Sequence, residues 1–137
     1  MTAGFACRDI TPQVPCYLEG LHRTGPAVEI HDPLFVRTLW LDDGVSRSLI
    51  VALDLLFFDT PRWELYEHRL QEAFGLQPHE VITNMSHSHA GPCLSRWAYN
   101  GYIDEEYINE VERLTIECAR EAERRPAKSF SDKAERP

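Results

Sequence analysis

Apolar runs and polar interruptions alternate along this chain at intervals that lay out an α/β order. Residues 4–10 make a short strand that Thr11-Pro12 stops. Residues 12–30 carry Pro12, Pro15, Gly20, Gly25 and Pro26 and show no periodicity, which predicts an irregular loop. A structureless connection of that length points to a binding loop. Residues 34–41 read as a strand through Phe35, Thr38 and Trp40, and Asp42-Asp43-Gly44 is a turn. Residues 48–58 are almost continuously apolar, so the two runs predict a hairpin. Its second strand is expected to be central and covered on both faces.

Helical spacing follows. Thr60 as N-cap and Pro61 at N1 open a helix over 61–74, with Trp63, Tyr66, Leu70 and Phe74 on one face and Gly75 at its end. Residues 80–85 form the next strand. A longer helix is predicted over 103–124, its apolar stripe made by Ile103, Tyr107, Val111, Leu114, Cys118 and Ala122. Acidic residues crowd its first turn and arginines its last, both in the sense that complements the helix dipole. The tail from Pro126 lacks periodicity and is expected to be frayed or disordered. The resulting fold class is α/β: a mixed sheet with a β-hairpin leading into a β-α-β unit, followed by a long C-terminal helix.

Composition narrows the functions. The 137 residues are 43% hydrophobic, which suits one globular domain. A formal charge of −8 argues against nucleic acid as a partner. No run is long enough for a transmembrane segment. The N-terminus shows no basic region followed by an apolar stretch, so a cytoplasmic location is the default expectation. The four cysteines are far apart with no Cys-x-x-Cys pair, and they read as reduced, mostly buried thiols. Cys93 could instead be a ligand, although packing is the preferred reading. No Gly-rich phosphate loop and no nucleophile elbow is present.

The densest chemistry lies at residues 81–92, where an apolar run ends in His87-Ser88-His89 and Gly91-Pro92 follows. If strand geometry persists, residues i and i+2 share a face, and two imidazoles stand side by side at a strand end. Such a pair can ligate metal or move protons. The strands before and after the first helix should be parallel neighbours about 4.8 Å apart. Asp54 would then lie on the same sheet edge. It either pairs with imidazole, the preferred reading, or caps a nearby loop through backbone N–H groups. His31, before Asp32-Pro33, is a further candidate, against the plainer reading of an exposed residue in an Asp-Pro turn. His22, His68 and His79 read as surface residues.

Four segments in order resemble the neutral/alkaline non-lysosomal ceramidase family. They are Asp9-Ile10-Thr11-Pro12, Ile30-His31-Asp32-Pro33-Leu34-Phe35-Val36-Arg37, Leu49-Ile50-Val51-Ala52-Leu53-Asp54-Leu55-Leu56 and His87-Ser88-His89-Ala90-Gly91-Pro92. Ser88, Ala90 and Glu29 depart from the family's usual Thr, Ser and Gly. The resemblance spans about residues 3–125. It implies the N-terminal portion of a zinc-dependent amidase that hydrolyses the N-acyl bond of ceramide or a related lipid amide, over residues 1–125. It makes His87 a metal ligand and places His89 near the reacting water. The family's remaining ligands, a His, a Glu and a Tyr, have no counterpart here. The expectation is therefore a fragment that is inactive alone, binds zinc weakly if at all, and self-associates through an uncovered sheet. Two alternatives are another His-x-His metal-dependent hydrolase and a non-catalytic remnant or binding module.

Overall fold

A computed structural model describes residues 1–96 and 103–127, with the side chains of 126 and 127 left aside. The strands are β1 (Thr2–Asp9), β2 (Phe35–Asp42), β3 (Arg47–Leu53), β4 (Val81–Met85) and β5 (Pro126–Ala127). The helices are α1 (Thr60–Phe74) and α2 (Glu105–Arg124). The sheet order is β4-β3-β2-β1-β5, with β3 and β4 parallel and the other pairs antiparallel. The expected hairpin and β-α-β unit are both present, and the fold is mixed α/β. No helix among the described residues is long and apolar enough to cross a membrane.

Both helices cover the same face of the sheet. Alternate strand residues point to opposite faces, and burial follows that parity. Gly4, Ala6, Val36, Thr38, Trp40, Leu49, Val51, Leu53 and Val81 are buried on the helical side. There they meet Tyr66, Leu70 and Phe74 of α1, and Ile108, Val111, Cys118 and Ala122 of α2. Gly4 is required by this packing, since a Cβ there would lie 1.8 Å from the carbonyl oxygen of Ala122. Two buried hydroxyls in this core are satisfied: the Tyr66 hydroxyl donates to Thr115 Oγ1 at 3.0 Å, and the Tyr107 hydroxyl donates to the Ile10 carbonyl at 2.7 Å.

Five expectations change. The strand over 48–58 ends at Leu53, because apolar character continues past the end of pairing: Leu55, Leu56 and Phe58 remain buried as a core-facing turn. Nor is β3 buried on both faces. It is an inner strand, but Ile50 and Ala52 are only half-buried while Leu49, Val51 and Leu53 are covered. The N-cap of α1 is Asp59 rather than Thr60; its carboxylate accepts from the Arg62 N–H at 3.3 Å, one residue earlier than read from the sequence. The cap of α2 is Asp104, which accepts from the Tyr107 N–H at 2.9 Å, so Ile103 precedes the helix. Pro126 and Ala127 pair with Gly4 and Ala3; the rest of the expected tail, 128–137, lies outside the described residues.

Candidate functional site

The end of β4 carries the histidines. Beyond Met85 the chain leaves the strand but keeps to the track of β3: Ser86 N–H donates to the Leu53 carbonyl at 2.9 Å and Ser88 N–H to the Leu55 carbonyl at 3.2 Å. Between these anchors His87 adopts φ 61°, the only positive φ outside glycine among the described residues. Such backbone is uncommon for a side chain of this size and occurs where the surroundings enforce it. The i, i+2 pairing of a regular strand is thus not what unites the histidines. A left-handed turn does so, and their ring centroids stand 5.2 Å apart with planes at 73°.

The two rings differ in environment. His87 is exposed and His89 half-buried. The Nδ1 of His89 is shielded from solvent and has no partner among the described residues. It faces the backbone of Gly20, which has φ 90°; a Cβ there would lie 2.3 Å from that nitrogen. Glycine therefore serves twice, in backbone conformation and in close approach. Arg23 donates to the His89 carbonyl at 3.1 Å and fixes the backbone on the other side.

Backbone bonds fasten the long loop over this site. Glu19 N–H donates to the Gly91 carbonyl and Cys93 N–H to the Tyr17 carbonyl, each at 3.1 Å. The buried Glu19 carboxylate accepts from Leu94 N–H at 2.9 Å and from the Ser95 hydroxyl. Sequence reading had no handle on Glu19, Gly20 and Arg23, because they lie in an aperiodic loop. The one available signal was a carboxylate set between Leu18 and Gly20.

The other candidates separate. Asp54 accepts from Arg37 Nη1 at 2.8 and 2.9 Å and from the Phe35 N–H at 3.0 Å. Arg37 also lies over the Phe35 ring, 5.1 Å from its centroid. The preferred pairing of Asp54 with imidazole is not what the described contacts contain; guanidinium and a backbone N–H hold it instead. His31 is exposed and lines a cavity of about 600 Å³ together with Arg23, Ile30, Leu34, Ser88 and Ala90. The fold thus brings the His31 loop against the segment that carries His89. Cys93 is buried, and desolvation first, then Glu19 and Cys16, pushes its thiol up to about 11, which suits packing rather than ligation. His22, His68 and His79 are exposed.

A zinc site needs three or four protein donors. No group of three or more His, Cys, Asp or Glu side chains converges among the described residues. The two imidazoles are suitable donors but make half a site, so the described residues do not fit zinc by themselves.

No family model and no curated protein matches the chain. Solved structures do. A ceramidase complexed with C2 matches with a TM-score of 0.71 at 20% identity, over 91% of this chain and 21% of that one. The neutral ceramidase from Pseudomonas aeruginosa matches with a TM-score of 0.72 at 20% identity, over 91% and 22%. The fold is that of part of a neutral ceramidase. The ceramidase resemblance read from the sequence is therefore accompanied by a likeness of fold, and the chain spans about a fifth of the length of the structures it matches.

Proposed function

We propose that this chain is the ceramidase-like portion of a metal-dependent amidase acting on the N-acyl bond of ceramide or a related lipid amide. The observation that carries this reading is the pairing of a neutral-ceramidase fold with two facing imidazoles at the end of β4. In that role exposed His87 would be a metal ligand. His89, held by Gly20 and Arg23, would present the rest of its ring toward the reacting water and handle its proton. Asp54 would act as a positioning group: it locks the start of β2 to the end of β3 beneath the histidine loop. With further donors completing the site, a zinc ion held there would supply Lewis-acid chemistry toward an amide carbonyl and a water. The further donors would come from outside the described residues, and without them the described residues are expected to be inactive.

The half-built donor set also supports a second reading, a remnant that keeps the fold without the metal. Histidine side-chain NMR during a zinc titration separates the two. The amidase reading predicts that the His87 and His89 signals move first among the six histidines. Equal response from exposed His22, His68 and His79 would favour the remnant.

A further inference from the structure

The sheet face opposite the helices carries an apolar row that crosses four strands. The register aligns Phe5 with Leu39, Leu39 with Ile50 and Ile50 with Ile82. Phe5 is 61% and Ile82 52% exposed, with half-buried Leu39 and Ile50 between them. Ala3 and Leu41 extend the row on one side, and Cys7, Arg37, Ala52 and Asn84 form the next rank on the other.

We propose that this face is an interface for a second copy of the chain, packed sheet to sheet about a two-fold axis. Charge is the first argument. Arg37 and Asp54, at one end of the face, neutralise each other at 2.8 Å, so pairing two such faces buries no lone charge there. Asp9 lies at the rim, where its carboxylate accepts from the Thr11 N–H. Much of the surplus of carboxylates that gives −8 sits on the helices, on the far side of the sheet. Two copies therefore meet on their least repulsive surfaces. Area is the second argument. The four strands, of 8, 8, 7 and 5 residues, together span about 20 by 23 Å, on the order of 450 Å² per copy before side-chain relief is added. The pair then reaches roughly 1,000 Å², the lower bound of specific interfaces, which fits a reversible dimer rather than an obligate one. An isologous contact also sets Phe5 and Ile82, at opposite ends of the row, against the partner's row, as self-complementarity requires.

Cys7 is a built-in probe. It is exposed on this face, whereas Cys16, Cys93 and Cys118 are buried. Sedimentation velocity from about 1 to about 200 µM chain, with the rate of Cys7 maleimide labelling measured alongside, tests the proposal. A concentration-dependent dimer is expected, with Cys7 labelling slowing as it forms. Phe5→Lys with Ile82→Lys should weaken association at least roughly tenfold and restore fast labelling, while Ile82→Val should not. Both lysine sites are exposed, so native circular dichroism should persist. A chain that stays monomeric with constant labelling would overturn the second copy and give the face to another layer, such as the polypeptide that the longer ceramidases carry outside the matched fifth. A dimer that survives the double variant with Cys7 still open would overturn it too.

Discussion

Gly20 is the residue on which the geometry at His89 most directly depends. Gly20→Ala imposes a side chain at φ 90° and drives its Cβ into the shielded nitrogen of His89. The expected result is a loss of about 1–3 kcal/mol in urea unfolding, with a displaced His89 ring signal by NMR. Glu19→Gln replaces a carboxylate that accepts from both Leu94 and Ser95 by an amide with one acceptor oxygen. A cost of about 1–3 kcal/mol is expected from equilibrium melts. Both effects concern a loop without periodicity, and their partners lie some 70 residues away, so no local pattern announces them. Asp54 shows the same limit. A carboxylate within an apolar run signalled a buried partner, but Arg37 became that partner only through the antiparallel register of β2 and β3.

The secondary-structure elements were more legible, because each follows a period that burial imposes. Of the predicted stripe, Tyr107, Val111, Cys118 and Ala122 are buried on α2, Leu114 is half-buried and Ile103 precedes the helix, while Ile108, Thr115 and Ala119 join the buried face. Hydrophobicity failed where it outlasted pairing: Leu55, Leu56 and Phe58 are core residues, yet the strand has ended. The close seating of α2 on β1 yields a sharp expectation. Gly4→Ala places a methyl 1.8 Å from the Ala122 carbonyl oxygen, which is backbone and can retreat only with the helix. A thermal melt should fall by an amount equivalent to at least about 2 kcal/mol, whereas an alanine at Gly44, with open space around it, should cost less despite its positive φ.

The described residues form two layers, with a helical side that is closed and a sheet side that exposes Phe5 and Ile82. Its buried acids set a pH limit. Cys93 is pushed from 9.0 to about 11, chiefly by desolvation, and burial also raises Tyr66 and Tyr107. Groups whose folded pKa lies above the unfolded value stabilise the fold fully below the unfolded pKa and lose that contribution as pH rises through the folded one. Urea midpoints should therefore hold up to about pH 9 and fall progressively toward about pH 11. Midpoints that are flat across this window would contradict the burial assigned to these three side chains. At the same scale stands the central proposal, that this ceramidase-like fold supplies two of the donors of a metal site. Calorimetric titration of the chain with zinc at neutral pH tests it most directly, with His87→Ala as the control. Weak binding, with a Kd above about 10 µM, that disappears in His87→Ala is the predicted result. Tight one-to-one binding would contradict the account, because it would require a donor set that two imidazoles cannot supply.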